Sequence, residues 1–267
     1  MPYRNIEIIK NESVYERNGV YYLNEPDETS LETENIYLEM RAKEGRIYSD
    51  EQVKLLPEIE STHKYFSEWN IRAYSSENLC SLIHSDRTPK SVLEIGCGNG
   101  WLTSRLSEDP DSWVIGLDIN RKELEQAARV FRDRKNLVFA YGNIFEHKFS
   151  RLKLDYIILA SSLSYFKDPH KLIAHLHLLL NEMGEIHLID NPSYNDMELP
   201  GGGLRTKKYF EQLGFPGRSA HYFHHNLIEI VKKYRYEILY DPKTTTNRAK
   251  KYLGKPVSPF YWIKISA

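Results

Sequence analysis

Val92-Leu93-Glu94-Ile95-Gly96-Cys97-Gly98-Asn99-Gly100 decides how this chain is read, because an apolar, strand-like run delivers an acid and then three alternating glycines to the start of a helix. Glycine at alternate positions lets the chain turn sharply and removes every Cβ that would hold a ligand away from the backbone amides. Working outward, Val114-Ile115-Gly116-Leu117-Asp118 is a second buried-strand run, ending in an acid 22 residues after Gly96. That spacing suits a carboxylate gripping a ribose diol. The dinucleotide fingerprint requires glycine at position 101, where this chain has Trp101, and an indole there argues against a pyrophosphate lying on the helix N-terminus.

From Ser91 onward, strands and helices alternate in short βα units. A helix is expected over 121–132, a third strand over 137–141 and a fourth over 154–160. Asp168-Pro169 opens a helix that runs to 180, with proline acceptable at its first position. A fifth strand spans 184–190. The segment 191–234 then intervenes before two final strands, 236–240 and 260–266. Upstream, Ile6, Ile8 and Val14, then Val20-Tyr21-Tyr22-Leu23, flank the turn signal Asn18-Gly19 and predict a hairpin over 6–23. Residues 24–33, polar and containing Pro26, read as a linker. Helical patterning begins near Glu34 and resumes over 57–83, where Tyr65, Trp69, Arg72, Ala73, Leu79 and Leu82 recur at helical spacing. The expected division is an accessory hairpin and helix over 1–60 and a main domain over 61–267, with 191–234 as a lid.

Composition sets bounds. A chain of 267 residues with 41% hydrophobic and 27% charged residues can bury a substantial core. A net charge of −1 gives no strong global pull toward nucleic acid or an anionic membrane. The two cysteines, Cys80 and Cys97, suit a reducing compartment, because a disulfide at Cys97 would distort the glycine loop. The stretch from Met1 to Lys10 has no signal-like apolar core, and no segment approaches the ~20 apolar residues of a spanning helix. These features predict a cytoplasmic protein. Charge is uneven: Glu25, Asp27, Glu28, Glu32, Glu34 and Glu39 make the N-terminus acidic, whereas Lys232, Lys233, Arg235, Lys243, Arg248, Lys250, Lys251 and Lys255 make the tail basic. The tail reads as an RNA-binding segment, as a face for an acidic or phosphorylated carrier, or as cations pairing with the N-terminal acids. No aromatic-interleaved stacking motif accompanies it.

The pattern Glu94-x-Gly96-x-Gly98-x-Gly100 followed by Asp118 resembles the class I S-adenosylmethionine-dependent methyltransferases, over roughly residues 61–266. The resemblance implies an α/β fold with a Rossmann-like seven-stranded sheet, mostly parallel with an antiparallel last strand and flanked by helices; here a small N-terminal hairpin and helical extension precedes it. It implies S-adenosyl-L-methionine as cofactor. Glu94 and the backbone at Gly96, Cys97, Gly98 and Gly100 then receive the methionine end, Asp118 the ribose diol, Ile119 the adenine face, and Asn143 with Ile144 the adenine edge. Ala160 leaves room where the methyl group emerges. Glu44-Gly45-Arg46, Glu68-Trp69, Arg72, Gln126-Ala127-Ala128-Arg129-Val130-Phe131 and Ser258-Pro259-Phe260 are similar to a set of bacterial methyltransferases. Some of those carry a zinc-ribbon-like module before the catalytic domain. The hairpin here lacks the cysteines such a site needs, so no metal is expected.

Methyl transfer requires positioning of the nucleophile and, for a hydroxyl or amine, loss of a proton. The lid contains His221-Tyr222-Phe223-His224-His225, of which His221 and His225 are the candidate bases. Tyr194 is the candidate pocket wall. Asp190-Asn191 resembles the ligands of magnesium-dependent catechol-type enzymes, but the position after the fourth strand holds Ala160-Ser161-Ser162 instead of an acid. Asn191-Pro192-Ser193-Tyr194 resembles the Asn-Pro-x-Tyr motif of amino-group methyltransferases, yet it follows the fifth strand instead of the fourth. The expected reaction is methyl transfer to an oxygen or nitrogen of a small or carrier-bound metabolite, with RNA or protein methylation, or an inactive binding protein, as alternatives.

Overall fold

The computed structural model describes residues 3–85, 88–253 and 257–267; Met1 and Pro2 of the N-terminal reading and Lys255 of the basic tail lie outside them. In chain order the elements are α1 (Tyr3–Glu12), β1 (Tyr15–Arg17), β2 (Val20–Tyr22), α2 (Glu28–Glu44), α3 (Asp50–Leu55), α4 (Phe66–Ile83), β3 (Lys90–Ile95), α5 (Trp101–Leu106), β4 (Ser112–Asp118), α6 (Arg121–Val130), β5 (Leu137–Tyr141), β6 (Leu154–Ala160), α7 (Pro169–His177), β7 (Leu180–Asn191), α8 (Leu199–Leu213), α9 (Leu227–Val231), β8 (Tyr236–Tyr240), α10 (Thr245–Tyr252) and β9 (Tyr261–Ser266).

All strands join one sheet in the order β1-β2-β5-β4-β3-β6-β7-β9-β8. The strands from β2 through β7 in that order run parallel, and β9 lies antiparallel between β7 and β8. Central strands of a parallel sheet are covered on both faces, which is why β5 is a continuous apolar run and β3 is buried from Ser91 to Ile95. Along β3, Leu93 and Ile95 enter the core shared with α1 and α7, while Val92 enters the core shared with α4, α5 and α6. Glu94 follows the period-2 alternation onto the α4–α5–α6 face. Because the strand order reverses around β3, a crevice opens beyond the carboxyl ends of β3, β4 and β6.

The α/β class and the seven expected strands are all present, and the last strand order closes antiparallel as expected. The N-terminus differs. Residues 3–12 form a helix, because Asn5, Ile6, Ile8 and Ile9 fall on one helical face and are buried. Asn5 donates to the Lys153 carbonyl and accepts from the Lys153 amide, tying α1 to the sheet. The hairpin is therefore only β1 and β2, turned by Asn18 and Gly19 at positive φ. It does not stand apart: β2 pairs in parallel with β5 and extends seven strands to nine. The expected linker is also helical from Glu28, since the Asp27 carboxylate accepts the Ser30 amide and caps α2.

Among the described residues no helix is long and apolar enough to cross a membrane. Of the tail cations, Lys232 pairs with Glu229, and further on Lys264 of β9 pairs with Glu185 and Glu237. The N-terminal acid Glu34 pairs instead with Arg121.

Candidate active site

The glycine loop connects β3 to α5 with Gly96, Gly98 and Gly100 all in the left-handed region, at φ of 76°, 53° and 73°. A Cβ on Gly100 would lie 2.6 Å from the Phe139 ring and 2.8 Å from Ala127 Cβ, and one on Gly96 would lie 2.7 Å from Ser162 Cβ. The loop is thus pressed against β5, α6 and the end of β6. At Gly98 a Cβ would meet only Glu123, at 3.5 Å.

Glu94 is buried and accepts the hydroxyl of Thr103 on α5. Burial pushes its carboxyl up to about 8, opposed by the Thr103 hydrogen bond and reinforced by the charge of Asp118. Asp118, at the end of β4, accepts the Gly98 amide at 2.8 Å and the Asn120 amide at 2.8 Å. Burial raises its carboxyl despite those donors. Glu123, on α6, is likewise pushed up to about 7 by burial and by Asp118, against the pull of Arg41. Three acids therefore converge on one glycine loop, an arrangement that favours a ligand bringing hydroxyl donors and positive charge.

The remaining expected cofactor residues occupy different environments. Ile119 is exposed beside Asp118. Cys97 turns its thiol into the core, so only its backbone faces the crevice; Cys80 and Cys97 are both free and buried. Ile144 also buries its side chain, and its carbonyl bonds His175 Nε2. Asn143 is exposed, but its amide oxygen accepts the Phe145 amide at 3.1 Å. Ala160 ends β6 and leads into Ser161, at φ 56°. Two buried polar atoms beside the loop, Ser162 Oγ and Asn120 Nδ2, have no hydrogen-bond partner among the described residues. The glycine cradle, the acid at the end of β4 and these orphan atoms fit S-adenosylmethionine.

Next to this crevice lies a cavity of about 620 Å³ beyond the ends of β6 and β7. Ser161 and Asp190 form its floor, and α2, α4, α8 and the turn Pro216–His221 form its walls. Five arginines line it: Arg41, Arg46, Arg72, Arg205 and Arg218. Arg46 grips Glu68 with two bonds, at 2.9 and 2.6 Å, and Arg72 shares the same carboxylate. Against the upward push of burial, these two guanidinium groups hold Glu68 at about 2. Arg41 pairs with Glu44 at 3.1 Å. Glu44 also accepts the Tyr209 hydroxyl from α8, which ties α8 to α2. Arg205 and Arg218 have no carboxylate within ion-pair distance among the described residues, and Arg218 Nε is buried without a partner.

Of the expected acceptor residues, His221 and Tyr194 line this cavity. His225 does not: it is buried, its Nε2 bonds the Phe166 carbonyl at 2.9 Å, and burial lowers its pKa. Asn191 spends its amide on the backbone of Leu159, Ile189 and Leu163, so it braces the strand ends. Asp190 accepts the hydroxyls of Ser75 and Ser258. The arginines were not legible as a site, because positions 41, 46, 72, 205 and 218 share no local motif; only Glu44-Gly45-Arg46, Glu68 and Arg72 stood out in the sequence.

Residues 86–235 match the family model described as a methyltransferase domain. The chain is 26% identical over 133 residues to the malonyl-[acyl-carrier protein] O-methyltransferase of Halalkalibacterium halodurans, covering 46% of this chain and 49% of that protein. It is 27% identical over 117 residues to malonyl-[acyl-carrier protein] O-methyltransferase 1 of Ilyobacter polytropus, covering 43% of each. The match thus spans about half the length of these curated relatives or less. Among solved structures, magnesium protoporphyrin IX methyltransferase from Synechocystis PCC 6803 with bound S-adenosylhomocysteine superposes with a TM-score of 0.52 at 16% identity, over 90% of this chain and 98% of that one. The glycine loop, its acids and the family match over more than half of the sequence lead to one assignment: the chain belongs to the class I S-adenosylmethionine-dependent methyltransferases.

Proposed function

We propose that this protein methylates a carboxylate oxygen of an acidic metabolite, small or held as a thioester on an acyl carrier. The observation that carries the reading is the pair Arg205 and Arg218, two guanidinium groups without a carboxylate partner among the described residues, in a cavity floored by Ser161 and Asp190. The other three arginines are matched by Glu44 and Glu68. A guanidinium lacking a protein carboxylate suits an anionic ligand, and its planar fork matches a carboxylate.

S-adenosylmethionine supplies, when bound, an electrophilic methyl group on a sulfonium. The protein's own task is to align one carboxylate oxygen with that methyl group, and no proton leaves an ionised acceptor. A general base is unnecessary, which agrees with the engagement of His225 by the Phe166 carbonyl. Tyr165, Tyr194 and Tyr222 provide aromatic walls for the rest of the acceptor. Both curated relatives are named for O-methylation of malonyl-[acyl-carrier protein], an acid on a carrier, and this supports the same reading.

The test is to incubate the protein with methyl-labelled S-adenosylmethionine and a panel of dicarboxylic acids and their thioesters. Label appearing as a base-labile methyl ester is the expected result. Label held by an amine or hydroxyl in a base-stable bond would overturn it.

A further inference from the structure

The helix α8 has two faces of different character. Gly202, Arg205, Thr206, Tyr209 and Phe210 line the acceptor cavity. The opposite face, at the i, i+3, i+4 and i+7 positions Leu204, Lys207, Lys208 and Glu211, points to solvent. Leu204 is 69% exposed, and Met197, just before the helix, is 89% exposed. A solvent-facing methionine and leucine, followed along the chain by two exposed lysines, are not what a lid needs merely to cover a cavity. Glu211 approaches Lys207 only at 4.0 Å, and Lys208 has no carboxylate within that distance among the described residues. Arg205 stands on the border between the two faces. Arg205, Lys207 and Lys208 against Glu211 give this helix a local positive excess in a chain whose net charge is −1.

We infer that the outer face of α8 is a docking surface for a small acidic carrier protein, which delivers the acceptor as a thioester on a flexible arm. This rests on the proposed carboxylate methylation and names the partner that brings the substrate. Lys207 and Lys208 meet the carrier's acidic residues, and Met197 and Leu204 supply the apolar centre of the contact. The arm passes over the Arg205 edge, so the anionic end of the acyl group arrives beside Arg205 and Arg218. One helix then serves as carrier platform outside and cavity wall inside. Rim charges of this type act mainly on association rate and salt dependence.

The experiment compares malonyl thioester on an intact acyl carrier protein with the same thioester on free pantetheine, using wild type, Lys207→Glu/Lys208→Glu and Leu204→Asp. The expected result is a KM for the carrier-bound substrate raised about tenfold or more in the variants, with the difference narrowing in 0.5 M salt, and kcat/KM for the pantetheine thioester unchanged. Equal losses on both substrates, or no loss on either, overturn the docking surface. So does a wild type that uses the free thioester as well as the carrier-bound one, although methyl ester formation then still stands. If wild type methylates neither, the carboxylate reading itself fails. Salt-sensitive binding to RNA or to anionic vesicles that the lysine variants abolish, with carrier turnover untouched, also overturns the inference.

Discussion

Ser161 Oγ donates to the Asp190 carbonyl at 3.0 Å, and both residues hold left-handed backbone, at φ 56° and 55°. Non-glycine residues in that region store strain and cluster where a site demands a particular geometry. Here the bond joins the ends of β6 and β7 and forms the floor of the arginine-lined cavity proposed to take the acceptor. Ser161→Gly relieves strain while losing one hydrogen bond, so its stability should stay within about 1 kcal/mol of wild type. Ser161→Val, β-branched at a positive φ, should cost about 1–3 kcal/mol. Urea melts of the two variants check the order; equal losses would remove backbone strain from the explanation.

The glycine loop makes a sharper stability prediction. Gly100→Ala places a methyl group 2.6 Å from the Phe139 ring and 2.8 Å from Ala127 Cβ, at a φ of 73°. Neither the ring, packed in the core, nor the helix can move without cost, so a loss of about 2–4 kcal/mol is expected. A thermal midpoint within a degree of wild type would mean that the loop is less tightly packed than described.

Asp118 tests the cofactor site. Its carboxylate already holds the Gly98 and Asn120 amides in place, and in the proposed role it would also accept the hydroxyls of a ribose diol. Asp118→Ala should weaken S-adenosylhomocysteine binding about 10- to 100-fold, the value of losing charged hydrogen bonds, with the circular dichroism spectrum retained. Calorimetric titration gives the answer, and an unaltered Kd would sink the ribose role.

Glu94 links stability to pH. Its carboxyl stands at about 8 in the folded protein against an ordinary 4.5, so the folded state keeps a proton that the unfolded chain loses between those values. That contribution to stability is complete below pH 4.5 and fades as pH rises toward 8. Glu94→Gln carries no titrating group, so its stability relative to wild type should increase by about 1–3 kcal/mol between pH 5 and pH 8. Denaturant melts at the two pH values decide it; a constant difference would contradict burial as the cause of the shift.

How far the sequence anticipated this structure depended on how local each signal was. The run 92–100 and the acid at 118 lie within single βα units, so the loop, the succession of strands and the acid that closes β4 were readable. The interval 3–33 misled because Ile6 and Ile8 satisfy a strand alternation, whereas Asn5, Ile6, Ile8 and Ile9 together describe a helical face. Asp27 was a legible cap three residues before Ser30, masked by the nearby Pro26. The arginine cavity is assembled from α2, α4, α8 and the turn after it, and no linear pattern encodes such a meeting. Even His221 and His225, four residues apart, part company: one lines the cavity, while the other bonds the Phe166 carbonyl.

Arg205 and Arg218 bear the central claim. Arg218→Gln and Arg205→Gln should each raise the KM for a carboxylate acceptor about tenfold or more, since a charged hydrogen bond is worth about 1.5–3 kcal/mol. The Kd of S-adenosylhomocysteine should not change, because both residues lie on the acceptor side. The most direct measurement is mass spectrometry of the product formed from malonyl thioester by wild type and by Arg218→Gln. The account predicts a single added methyl group released as methanol by mild base, formed by wild type and strongly reduced in the variant at low acceptor concentration. A base-stable methyl group, or equal product from both proteins across the acceptor range, contradicts it.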